Sequence, residues 1–134
     1  MYVEIDFLFA LANPSDWLKA DAKAAVDTED VHTSITAYIE YLQYFYDPDT
    51  AEYTVPVTEI IPNMLELVPV HPSEHEQALL AAVAFINDQN LTPADAVHAG
   101  IAHTEGESIL STEQDYDLVG IERVDLEGYA DGEQ

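Results

Sequence analysis

The sequence predicts an α/β fold in which a parallel sheet is flanked by helices. Short apolar segments of strand character alternate with longer segments of helical periodicity, which implies βα units. The chain also opens on an alternating apolar and acidic run, and it contains no internal repeat. In folds of this kind, ligands gather outside the carboxyl ends of the strands.

Val3, Ile5 and Phe7 alternate with Glu4 and Asp6, so a strand is expected from Tyr2 to Phe7, delivering a carboxylate near its end at Asp6. After Asn13-Pro14-Ser15 a short helix is expected from about Asp16 to Val26. A longer one follows from about His32 to Tyr46, stopped by Asp47-Pro48-Asp49. Val57 to Leu65 reads as helix, and Leu67 to Val70 as a short strand in which Pro69 is the unsuited residue. Ser73 opens a helix running to about Asp88, with Leu79, Leu80, Val83, Phe85 and Ile86 as its apolar positions. The next helix starts at Thr92-Pro93 and is capped by Gly106. Ile109 to Ser111 and Ile121 to Leu126 read as strands. Residues 1–127 are expected to form a single domain and residues 128–134 a flexible acidic tail.

A chain of 134 residues with 48% hydrophobic content can bury a core. Its 27 acidic residues face only Lys19, Lys23 and Arg123, for a net charge of −24. In dilute buffer that charge repels polyanions. The acids are scattered, however, and the core remains aliphatic and aromatic, as in a protein adapted to molar salt. There the Debye length is about 3 Å and only local contacts count. An acidic decoy for a basic partner ranks second, because there is no contiguous acidic block. The absence of cysteine excludes disulfides and thiolate metal sites and fits a cytoplasmic location. The N-terminus has no basic region, and Phe7 to Ala12 is too short for a membrane span or a signal peptide. No glycine-rich phosphate loop or nucleophile elbow is present, which argues against nucleotide hydrolysis and esterase chemistry.

Four acidic positions stand out. Thr92, Pro93 and Asp95 have capping-box spacing at a helix start, where the dipole and free N–H groups keep a carboxylate ionised, as a hard cation requires. His98 follows three residues later, placed to support Asp95 by hydrogen bonding or simply to pack. Glu40 belongs to a narrow polar stripe with Thr33, Thr36, Gln43 and Asp47 on a helix whose Ile35, Ile39, Leu42 and Tyr46 are expected to line a buried face. Ser111 to Asp117 carries Glu113, Asp115 and Asp117 just after a strand end. Each position also has a plain explanation as a cap, a solvated charge or an acidic turn. Asp6, Glu40, Asp95 and either Glu113 or Asp115 can nevertheless meet at one sheet edge, and such a cluster is tenable only with a neutralising cation.

Two further groups have competing readings. Tyr38, Tyr41, Tyr44, Phe45 and Tyr46 could stack bases or fill the core, and helical geometry leaves about two of them exposed. His71 and His75 are separated by Pro72 and Ser73, which argues against a helical zinc pair.

Glu4-Ile5-Asp6, Ser34 followed six residues later by Glu40, Asp95-Ala96-Val97-His98-Ala99, and Ser111 to Asp117 together resemble a PIN domain, the metal-dependent nuclease fold that includes VapC-type toxins. The resemblance covers nearly the whole chain. It implies a three-layer α/β/α fold with a central parallel sheet of four to five strands. It also implies an endoribonuclease using Mg²⁺ or Mn²⁺, with Asp6, Glu40, Asp95 and Glu113 as the four acids. Asp115 would be a further metal ligand, with Ser111 and His98 in support. An RNA substrate, a small antitoxin that occludes the cleft and a homodimer are implied as well. The sequence departs from the family pattern at Glu113, where Asp is usual, at Phe7-Leu8, where a small polar residue is frequent, and in its scarcity of basic residues. Those departures motivate the alternative of a catalytically weak PIN-like binding or scaffold protein.

Overall fold

The computed structural model describes residues 1–72 and 76–132. Its elements are β1 (Tyr2–Val3), α1 (Ile5–Ala12), α2 (Lys19–Thr28), α3 (Ile35–Phe45), β2 (Tyr46–Asp47) and β3 (Glu52–Tyr53). These are followed by α4 (Val57–Leu67), α5 (Glu76–Gln89), α6 (Pro93–Glu105), β4 (Ile109–Ser111) and β5 (Arg123–Asp125).

The main sheet has the order β1-β4-β5 and is parallel, with Tyr2 opposite Ile109 and Leu110 opposite Val124. Two isolated parallel bridges extend it beyond β1, pairing Tyr2 with His32 and Thr33 with Val70. The Val3 N–H donates to the His32 carbonyl at 2.9 Å, and the Thr33 N–H to the Pro69 carbonyl at 3.0 Å. Regular strands therefore occupy three positions, and single bridges continue the parallel order to five. β2 and β3 form a separate antiparallel hairpin.

Helices cover both faces of this sheet. Val3 and Leu110 belong to one core cluster with Phe7, Leu8, Tyr38, Tyr41 and Met64, whereas Tyr2 and Ile109 belong to another with Ile101, Tyr116 and Ile121. Adjacent strand residues point to opposite faces, so the two clusters are the two outer seams of a three-layer α/β/α arrangement.

That double covering overturns the expected first strand. A strand buried on both faces need not alternate, and Tyr2, Val3 and Glu4 are all buried in succession. The strand stops at Val3, and α1 begins at Ile5 because the following apolar run buries Phe7, Leu8 and Ala10 on a helical spacing. Asp6 thus lies in the first turn of a helix and not at a strand end.

α3 also differs from expectation. Its buried residues are Ala37, Tyr38 and Tyr41, while Ile35 and Ile39 are 60% and 45% exposed. Of its four aromatic residues only Tyr44 is exposed, and Tyr46, expected in the same helix, lies in β2 and is exposed as well. α2 starts at Lys19 and not near Asp16, whose side chain instead accepts from the Leu18 N–H at 2.8 Å. The expected helix start at Ser73 lies outside the described residues. Within the segment expected as a tail, the Gly128 and Ala130 N–H groups donate to Asp21 of α2 at 3.2 and 2.9 Å.

α6 ends as its sequence predicts, with Gly106 in the left-handed conformation at φ 66°. Earlier in α6, Gly100 lets α5 approach closely, since a Cβ there would meet the Ala78 carbonyl oxygen at 2.3 Å. Backbone cannot yield as a flexible side chain can, so Gly100→Ala should destabilise the protein by about 3 kcal/mol. Chemical denaturation of the two proteins in molar KCl checks this, and an unchanged midpoint contradicts the close packing.

Candidate metal centre

The carboxyl ends of the strands and the N-terminus of α6 share one edge of the fold. Glu4 follows β1 directly at the N-cap position of α1, and it is only 2% exposed. The Ser111 hydroxyl, at the end of β4, donates to Glu4 Oε1 at 3.3 Å. Burial lifts the Glu4 carboxyl well above the ordinary range. The charges of Asp6, Asp95 and Glu40 raise it further, and the Ser111 hydrogen bond opposes them. Asp6 is half-buried, and its carboxyl is raised by burial first, then by Asp95, Glu113, Glu40 and Asp16.

Sequence reasoning missed Glu4. It assigned Asp6 to the strand end, but the acid delivered there is Glu4, and Asp6 reaches the same electrostatic neighbourhood from α1. The available signal was an acid set directly between an apolar pair and an apolar helical run.

Asp95 lies in the first turn of α6, with Pro93 at its start. Thr92 adopts an extended N-cap conformation, but its side chain makes no capping hydrogen bond, so this part of the expected capping box is not formed. Asp95 instead accepts from the Tyr116 hydroxyl at 3.4 Å. Burial, followed by the charges of Glu4 and Asp95, pushes the Tyr116 phenol upward and keeps it a donor.

Asp95, Glu113 and Asp115 each offer a carboxylate oxygen, and these oxygens all lie within 4.8 Å of one another. Glu113 caps a short 3-10 helix, Gln114–Val119, whose first turn carries Asp115, and this segment is internally braced. The Glu113 N–H donates to Ser111 Oγ at 2.9 Å, and the Asp115 N–H donates to Glu113 Oε1 at 3.2 Å. Arg123 then ties the segment to the sheet, donating to the Ser111 carbonyl at 3.0 Å and to both Asp117 oxygens at 3.0 and 3.2 Å.

Glu40 enters from α3 through a buried relay. His98 Nε2 meets Glu40 Oε1 at 2.5 Å, His98 Nδ1 meets the Tyr2 hydroxyl at 2.5 Å, and that hydroxyl meets Ser34 Oγ at 2.9 Å. With a carboxylate at Glu40 and a neutral imidazole, one proton arrangement satisfies all three contacts. In it, Nε2–H donates to Glu40, Tyr2 donates to Nδ1, and Ser34 donates to Tyr2. His98 therefore holds Glu40, not its helical neighbour Asp95.

The candidate acids thus form a tight trio, Asp95, Glu113 and Asp115, beside Glu4, Asp6 and Glu40, whose charges act on one another. An all-oxygen anionic donor set suits a hard divalent cation such as Mg²⁺ or Mn²⁺. Elsewhere, His71 stacks on His32 with ring centroids 3.9 Å apart, and His75 lies outside the described residues. Lys19 donates to the Leu11 carbonyl at 2.8 Å, Arg123 is engaged as above, and Lys23 is exposed. Among the described residues, no helix is long and apolar enough to cross a membrane.

No protein-family model matches the sequence, and neither does any curated protein. In structure, the chain is similar to the crystal structure of FitAcB from Neisseria gonorrhoeae. That similarity has a TM-score of 0.71 at 12% identity and covers 93% of this chain and 96% of the other. The fold is accordingly the PIN-like α/β/α arrangement, with an acidic group at the carboxyl edge of its parallel sheet.

Proposed function

We propose that the protein is a divalent-metal-dependent endoribonuclease, the toxin of a toxin–antitoxin pair, working in the salt-rich cytoplasm of a halophile. The observation that carries this reading is the meeting of Asp95, Glu113 and Asp115 within 4.8 Å, beside Glu4 and Asp6. Asp95, Glu113 and Asp115 would hold Mg²⁺ or Mn²⁺, with Glu4, Asp6 and Glu40 completing the anionic surround. When bound, the cation supplies Lewis acidity toward a phosphodiester oxygen and acidifies water.

The protein's own residues do the rest. Ser111 positions Glu4 and the Glu113 backbone, and Tyr116 steadies Asp95. His98 keeps Glu40 in place, ready to orient or deprotonate water. No side chain need act as a nucleophile.

A small antitoxin would cover this cleft, its basic groups complementing the carboxylates. A homodimer would form on the face where Ile35, Leu79 and Val83 are exposed by 60%, 62% and 55%. The test is RNA cleavage in molar KCl with Mn²⁺ or Mg²⁺, comparing wild type with Asp95→Asn. A catalytically weak scaffold is the second reading, favoured by the internal engagement of Lys19 and Arg123. A metal titration without site-specific binding selects it.

A further inference from the structure

Two helices each carry one acid of the centre and, about one turn further on, an aromatic ring. On α1, Asp6 is followed three residues later by Phe9, and on α3, Glu40 is followed four residues later by Tyr44. Such spacings put acid and ring on one helical face. Phe9 and Tyr44 meet with ring centroids 4.9 Å apart, backed by Phe45 at 5.8 and 5.0 Å respectively. These rings, with Tyr41, Asn13, Val55, Ile60 and the carboxylate of Asp16, whose charge also acts on Asp6, line a groove of about 460 Å³. Tyr44 is 70% exposed, so beyond its contacts with Phe9 and Phe45 most of its surface faces solvent.

We propose that this groove is a base-stacking subsite for the RNA strand cut at the adjacent acidic centre, an inference that rests on the nuclease reading above. One helical turn spans about 5.4 Å, against about 3.4 Å per nucleotide in a stacked strand, so the groove takes a base one or two nucleotides from the scissile phosphate. The chain has three cationic side chains in all, and Lys19 and Arg123 are committed to internal contacts. Phosphate contacts therefore supply little of the affinity, and base faces on aromatic rings must supply more of it. Asn13 adds selectivity. Its Oδ1 is taken by Ser15, which leaves amide N–H donors for a base carbonyl.

The test uses the Asp95→Asn protein, so that no turnover is needed, with an RNA decamer containing 2-aminopurine in molar KCl. Stacking should quench the fluorophore, Tyr44→Phe should bind as the parent does, and Tyr44→Ala should bind roughly tenfold more weakly. Equal affinity of Tyr44→Ala and parent overturns the proposal. So does the loss of a basic amphipathic peptide by Tyr44→Ala while RNA affinity holds, which would make the groove a protein-docking site. Quenching without any cleavage by the wild type would overturn the nuclease reading and the cut-strand part of the proposal while leaving the groove as an RNA-stacking site, because the quenching signal does not depend on turnover.

Discussion

Asp95→Asn is expected to lower Mn²⁺-supported RNA cleavage in molar KCl by roughly a hundredfold or more while leaving the fold intact. The amide keeps the shape of the side chain and can still accept from the Tyr116 hydroxyl. It removes one of the three carboxylates that lie within 4.8 Å, and with it a third of the charge the proposed cation would pair with. Asp95 also raises the carboxyls of both Glu4 and Asp6. Without metal, the variant should therefore melt no lower than wild type, which separates loss of chemistry from loss of structure. Equal cleavage by the two proteins would remove Asp95 from the reaction.

A second large effect is expected from pH and from Glu4→Gln. The Glu4 and Asp6 carboxyls are raised in the folded protein, so in chelator they keep protons that their unfolded counterparts have lost. Their contribution to stability is complete below the unfolded range, at about pH 4, and is lost as pH rises through the raised folded values. Melting temperature in chelator should thus fall from pH 5 to pH 8 in molar KCl. Mn²⁺ should reverse this slope, because a cation held there would require the deprotonated cluster. Glu4→Gln keeps an acceptor for Ser111 but no charge, so at pH 8 in chelator it should melt higher by roughly 4 °C, for about 1 kcal/mol. It should also lose most of the Mn²⁺-induced rise. A metal response equal to that of wild type would place Glu4 outside the centre.

Positions governed by local chemistry were readable from sequence. Pro93 and Gly106 bound α6, and Asp95, Glu113 and Asp115 occupy a helix start and the turn that follows β4, places that short-range sequence signals mark. Positions governed by burial on both faces were less readable. Val3, Ile5 and Phe7 imitate an exposed-edge alternation, although the strand ends at Val3 and Glu4 is the buried acid. Ile35 and Ile39 are apolar without being core, because α3 buries smaller Ala37 and the rings of Tyr38 and Tyr41. The pairing of His98 with Glu40, 58 residues apart, depends on how α3 and α6 pack, and no local pattern announces it.

The most direct test of the central claim is a crystal structure of the protein with Mn²⁺, read by anomalous scattering. A peak within coordinating distance of Asp95, Glu113 and Asp115, with Glu4 or Asp6 turned toward it, is the predicted result. Anomalous density absent from this edge at saturating Mn²⁺, with the carboxylates splayed apart, would contradict the account.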